Sequence, residues 1–347
     1  MSVQKSEAST GRSEWSLKLQ DGTVKYGFIV VTIVLFVYFS ATEETFRNPN
    51  TLFSMLKFTS VVAIAGLGIT FTMVVGGLDL SVGSVAGMSV TLSAMTMVFY
   101  NQEGSVAIVV VLLAGALVGL FNAFLIVILK IPDLLATLGT MFIVMGLKLV
   151  PVNGQSVSSG MTLRDGSIAP GRFTDVFLQI DRAMFGPVPF PVIIVLILTI
   201  LTWFFLTRTK WGRMMYAIGA NPEAARLSGV RVGLYHGLAY VICGIFASVG
   251  GLILSSRIGQ GDISAGSSLL LDAVAVALVG TSVLGLGRPN AWGTALGAVL
   301  IGIVSYGLTI KGLPYYTQDV AKGVVLIVAL VFSFTLSRRK TRYVSAT

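Results

Sequence analysis

MLKFTSVVAIAGLGITFTMVV, Met55 to Val75, runs straight into GGLDLSVGS, Gly76 to Ser84, and the chain then stays apolar to Phe99. A helix needs about 20 apolar residues to cross the hydrocarbon core of a bilayer, so the stretch reads as two spans separated by a short polar interruption. The pair of glycines costs about 1 kcal/mol per helical site, and the carboxylate of Asp79 costs several more in lipid, so a continuous helix is disfavoured here. A broken or re-entrant backbone is expected near Asp79, and lipid tolerates one only where it is buried in protein or lines a cavity. Asp79 has two open readings. It caps the following helix, accepting from the N–H groups near Ser81 and Val82, or it contacts a substrate.

Outward from this stretch, apolar runs bounded by charge or turn residues give ten spans: Tyr26–Ala41, Met55–Val75, Leu80–Phe99, Ser105–Leu129, Leu134–Val152, Val192–Thr207, Leu234–Ser255, Leu269–Leu286, Ala291–Ile310 and Val320–Leu336. Of the 347 residues, 54% are hydrophobic and only 11% charged, and the mean hydropathy is +0.87. These values describe an all-α polytopic membrane protein and exclude a soluble enzyme or a nucleic-acid binder. The formal charge of +9 is therefore topology data. With ten spans, fifteen Lys and Arg fall on the side of the two tails, Lys130, Arg288 and the loop from Arg208 to Arg231, against six (Arg47, Arg164, Arg172, Arg182, Arg257, Lys311) on the other. That bias puts both termini in the cytoplasm.

The resulting organisation is a cytoplasmic tail at 1–25, a membrane domain at 26–336 and a cytoplasmic tail at 337–347. Within the membrane domain, 151–191 is a periplasmic loop and 208–233 a cytoplasmic one. The first 25 residues lack the features of a signal peptide, so the N-terminus is expected to be retained. The periplasmic loop is either a docking surface or a spacer. Five spans on each side of it would have opposite orientations, as in an inverted repeat, although no strong internal sequence identity accompanies the halves.

Small residues four apart, at Gly83 and Gly87, Gly115 and Gly119, and Gly293 and Gly297, suit close helix packing in lipid. In the cytoplasmic loop, GANPEAARLSGV carries a complete helix signature. Asn221 is the N-cap, Pro222 the first helical residue, Glu223 sits at the positive end, and Gly229 is the stop. So short a helix must pack on the membrane domain or on a partner. One cysteine, Cys243, and one histidine, His236, leave no disulfide and no Cys/His metal set. No catalytic set and no phosphate-cradling GxxxxGK[ST] is present, so if ATP drives the protein, the ATPase is a separate subunit.

Four motifs together resemble the permease subunits of bacterial ABC importers for monosaccharides, the group of the ribose, xylose and arabinose permeases. They are GGLDLSVGS at Gly76, IPDLLATLGT at Ile131 with Asn122 upstream, GANPEAARLSGV at Gly219, and LLLDAVAVALVGTSVLGLG from Leu269 followed by WGTALGAVLIGIVSYGL. The resemblance runs from about Tyr26 to Leu336. It implies that the short helix with Asn221, Pro222, Glu223, Ala224, Ala225, Arg226 and Gly229 is the element that seats in a cytoplasmic ATPase. Glu223, Ala224, Ala225 and Gly229 also resemble the EAA-x-x-x-G pattern of importer permeases. It further implies a homodimer, a periplasmic sugar-binding protein as donor, and ATP and Mg bound on the ATPase, with no cofactor in this chain. Gly76, Gly77, Asp79, Ser81, Asn122 and Asp272 are the candidate pathway or broken-helix residues. Leu270, where ribose-type members usually have Glu, and the turn LGLGRPN from Leu284 to Asn290 depart from the ribose pattern. The sparse charges in the spans suit an uncharged sugar and disfavour an ion-coupled pump. The competing readings are a stand-alone secondary transporter or channel, and an importer permease for a nucleoside, autoinducer-2 or a branched-chain amino acid.

Overall fold

The computed structural model describes residues 29–163, 165–283, 287–314, 316–325 and 327. Both tails, Leu284 to Leu286 and most of the span expected at Val320–Leu336 lie outside the described residues. The regular elements of the described residues are helical apart from one two-stranded hairpin. The order is α1 (Ile29–Thr42), α2 (Pro49–Val74), α3 (Val82–Ala94), α4 (Gly104–Ala123), α5 (Asp133–Leu147), α6 (Asp175–Arg182), β1 (Met184–Phe185), β2 (Val188–Pro189), α7 (Phe190–Arg208), α8 (Lys210–Ala220), α9 (Pro222–Leu227), α10 (Val232–Ile258), α11 (Leu269–Ser282) and α12 (Ala291–Ile310), then a helix at 316–325. Helices α3 and α4 each end in a π-helical turn, Met95–Phe99 and Phe124–Ile128. Among the described residues six helices, α2, α3, α4, α7, α10 and α12, are long and apolar enough to cross a membrane, and α1, α5 and α11 are shorter apolar helices.

Helices α2, α3 and α10 form the centre, and α4 and α7 the periphery, with most of their apolar side chains turned outward. Glycine sets these crossings. A methyl group on Gly115 or Gly119 of α4 would overlap the carbonyls of Gly244 or Tyr240 on α10, and one on Gly293 that of Gly280 on α11. Where apolar side chains gain little by leaving lipid, such backbone approach supplies the van der Waals contact that holds helices together. Buried hydroxyls add bonds between helices: Thr70 to Thr294 and Ser93 to Ser255, both at 2.7 Å.

The fifth helix stops at Leu147, short of the expected Val152, and the chain then turns on through Asn153 and Gly154 at positive φ. Lys148 is thereby freed to donate to the Ile263 carbonyl at 2.8 Å, which is how a lysine inside an expected span is accommodated. The outer loop is packed down. Phe173 and Phe177 are buried against Val152 and Val157, and Asp181 is held between Lys57 at 2.8 Å and Arg257 at 3.1 Å, tying α6 to α2 and α10.

Candidate functional site

The break after α2 is built by its sequence. Gly76 takes φ +89°, its N–H donates to Met73 O and that of Gly77 to Thr72 O, the pair of bonds that closes a helix on a left-handed glycine. A side chain at Gly77 would overlap the Asp133 carboxylate and the Tyr240 hydroxyl, so anything larger than glycine must displace that pair. Two residues on, the fully buried Asp79 accepts at Oδ1 from Ser81 N (2.8 Å) and Ser81 Oγ (2.6 Å). Ser81, not Asp79, occupies the N-cap position of α3, and of the N–H groups at Ser81 and Val82 only the first bonds Asp79. Asn122, buried on α4, donates to Ser81 Oγ at 3.0 Å and to Asp79 Oδ1 at 3.4 Å.

Asp79 Oδ2 and Asn122 Oδ1 are buried without a protein partner. The buried Cys243 thiol faces the same carboxylate. On the other flank Thr137 reaches Leu78 O at 3.4 Å, and Tyr240 donates to Asp133 Oδ2 at 2.6 Å. The result is a polar core with donors and acceptors in the heart of an apolar bundle. Gly76, Gly77, Asp79, Ser81 and Asn122 come together there. Asp272 does not join them; it pairs with Lys322 of the helix at 316–325, at 2.9 Å.

The sequence reading missed Asp133, Thr137 and Tyr240. Asp133 and Thr137 lie inside IPDLLATLGT and were legible as polar residues opening a helix, whereas nothing flanking Tyr240 marks it. A second break was missed too. GQGDISAGS, Gly259 to Ser267, repeats Gly, Asp, Ser, Gly and Ser of GGLDLSVGS at the same positions. Its Asp262 accepts from Ser264 N and Oγ, both at 2.8 Å, as Asp79 does from Ser81. The match is short against halves of five helices, so it does not register as overall identity. The two breaks meet: a side chain at Gly87 would overlap Ala265 O, and one at Gly83 would lie 2.9 Å from Gly266 O.

The loop between α7 and α10 lies against the first break. Helix α8 approaches so closely that a side chain at Gly219 would overlap Val74 O, the last turn of α2. Helix α9 follows with Asn221 as N-cap, accepting from Ala224 N at 3.0 Å, and Pro222 in first position. It ends on Gly229 at φ +82°, with Gly229 N to Arg226 O and Val230 N to Ala225 O. Its Ala225 alone is buried, against Phe71, Val74 and Met215, while Glu223, Arg226 and Leu227 face outward. Tyr216 of α8 donates to Pro289 O at 2.7 Å beneath the Arg288 guanidinium, 4.8 Å from its ring, so α8 also touches the turn before α12. Burial raises the Tyr216 phenol above its ordinary pKa, and Arg288 opposes the rise. Asn290 caps α12, accepting from Gly293 N at 2.6 Å.

Several long apolar helices around a glycine-lined polar break, with a short capped helix left outward at one end, define a multi-pass membrane protein of the permease kind. The chain belongs to the family described as the branched-chain amino acid transport system / permease component, whose model matches residues 51–330. It is 32% identical over 305 residues to the ribose import permease protein RbsC of Escherichia coli (strain K12), covering 87% of this chain and 91% of that protein. It is 30% identical over 333 residues to the galactose/methyl galactoside import permease protein MglC of the same strain, covering 90% and 95%. With the xylose transport system permease protein XylH of Haemophilus influenzae it shares 27% over 358 residues, covering 88% and 94%. No solved structure matches the chain.

Proposed function

We propose that this chain is the membrane subunit of an ATP-driven importer that passes a monosaccharide or related polyol from a periplasmic binding protein into the cytoplasm. The observation that carries the reading is the similarity, along about nine tenths of the chain, to import permeases named for three different sugars. The chain works as a homodimer in the cytoplasmic membrane with both termini inside, and ATP and Mg belong to the ATPase subunit. Ten spans cross the membrane, with 1–25 and 337–347 as cytoplasmic tails, 151–191 periplasmic and 208–233 cytoplasmic. The repeated break motif supports two inverted halves: Pro49 and Val232, which open α2 and α10, and Asp79 and Asp262 are separated by the same 183 residues.

In this reading α9 docks on the ATPase through Asn221 to Arg226 and Gly229, and the contact of Gly219 with Val74 passes its movement to the break at Gly76, Gly77, Asp79, Ser81 and Asn122. Switching between two arrangements then exposes the pathway to one side at a time. Asp272, paired with Lys322, holds the last helix in place. The family's description favours one second reading, an amino acid as cargo. The test is reconstitution of the chain with its co-purifying subunits and binding protein in vesicles loaded with ATP, offered labelled ribose, galactose, xylose or leucine. ATP-dependent uptake of a sugar is expected. Uptake of leucine alone would give the second reading, and sugar uptake by the chain without other subunits would return a secondary transporter.

A further inference from the structure

On the outside of the bundle, where the end of α4 passes the start of α10, lies an apolar groove of about 770 Å³. Its floor is glycine. A side chain on Gly233 would lie 2.7 Å from Val127, and one on Gly237 3.4 Å from Ala123, so the two helices nearly touch there while Phe124 and Leu117 rise beside them. The lining from Leu117 to Ile128 runs along the α4 axis for about 17 Å at 1.5 Å per residue. That is roughly half of the ~30 Å hydrocarbon core, the depth of one leaflet.

One end of the groove is basic. The chain leaves α4 by Leu129 and Lys130, and enters α10 from Arg231, so both cations flank the same mouth. Both are exposed, and neither is in a salt bridge among the described residues. Lys130 is fixed at φ +56° by the bond from Ile131 N to Leu125 O. Tyr235, about one helical turn beyond Arg231, pairs its ring with that of Trp211 at 5.6 Å, and such aromatic residues gather at a membrane–water interface.

We propose that the groove holds one acyl chain of a phospholipid whose anionic headgroup is bound by Lys130 and Arg231. An apolar slot one leaflet deep fits the chain, and an uncompensated pair of cations at its mouth fits the phosphate. A second copy of this protein fits less well, because a two-fold contact through this face would set the basic ends of the two copies against each other.

The experiment uses the full-length permease with its co-purifying ATPase subunit in mild detergent, titrated with phosphatidylglycerol or phosphatidylcholine of identical chains and examined by native mass spectrometry. Wild type should retain the anionic lipid over the neutral one by roughly tenfold or more, as expected for two basic contacts. Lys130→Gln with Arg231→Gln, surface changes that leave packing intact, should bring the ratio near one at an unchanged elution volume. Gly237→Leu, which fills the floor, should lower retention of both lipids; if it fails to fold, the double variant decides alone. Equal retention of the two lipids by wild type, or a preference that survives in the double variant, would overturn the assignment. A wild-type dimer that Gly237→Leu splits into folded monomers would give the face to a second copy and overturn it as well.

Discussion

Replacing Asp79 separates the work of its shape from the work of its charge. Oδ1 accepts from Ser81 N, Ser81 Oγ and Asn122 Nδ2, while Oδ2 has no protein partner. In Asp79→Asn the amide oxygen takes the place of Oδ1 and the new NH2 falls where nothing was bonded. The donors that met Oδ1 stay satisfied, while the new NH2 is itself buried without a protein acceptor and the buried charge is removed, so the change should cost about 1 kcal/mol, less than the leucine variant. In Asp79→Leu the Ser81 N–H loses its acceptor at the start of α3, and Asn122 keeps only Ser81 Oγ. A buried donor left without a partner costs about 1–3 kcal/mol, and the Ser81 N–H and hydroxyl both lose their acceptor, so the total is on the order of 2–5 kcal/mol. At about 2 °C per kcal/mol for a chain of this size, the leucine variant should melt roughly 4–10 °C lower, read by size-exclusion fluorescence after heating in detergent. Loss in Asn equal to that in Leu would refute the hydrogen-bond account and assign the role to the charge. A leucine variant as stable as wild type would mean that Asp79 does not hold the break.

Gly77→Ala places a methyl group into the Asp133 carboxylate and Tyr240 hydroxyl, so expression and melting temperature should fall, by about 1–3 kcal/mol for an overpacked site; a normal melting curve would contradict the fit. Glu223→Lys and Gly229→Val alter the outward face and the left-handed stop of α9, the second at a cost of about 1–2 kcal/mol. Both variants should reach the membrane but lose stimulation of ATP hydrolysis, and normal uptake in both would leave α9 as ordinary loop structure. In a Cys243→Ser background, single cysteines at Gly160 and Arg213 should react with impermeant reagents from opposite sides of the membrane; labelling from one side would remove the ten-span arrangement.

Much of this architecture can be read from the chain because lipid imposes strong local rules. The ninth expected span coincides with α12, and GANPEAARLSGV spells out a helix whose cap, first residue and stop each act within a few positions. The break at Gly76 was equally legible, since two glycines and an aspartate leave a helix few ways to continue. Long-range pairing was not. That Tyr240 bonds Asp133, that Asn122 reaches Ser81, and that Asp272 is matched by Lys322 depend on which helices become neighbours, and spacing along the chain carries no record of that. The outer loop shows the same limit: its three Asp and three Arg balance on paper, yet Asp181, alone among those described, is drawn in, by Lys57 and Arg257 of two distant helices.

The approach of Gly219 to Val74 has a mechanical meaning. Side chains between two elements act as springs, yielding by changing rotamer before they pass on a push. Here backbone meets backbone, and the next atoms along are those of Gly76, whose closure on α2 is itself fixed by two hydrogen bonds. The linkage from α8 to the break therefore has almost no slack, so if α9 moves as proposed, a displacement of about an ångström there reaches the break. Bulk added at Gly219 would not cushion such a stroke; it would pre-load the lever and leave the break displaced at rest.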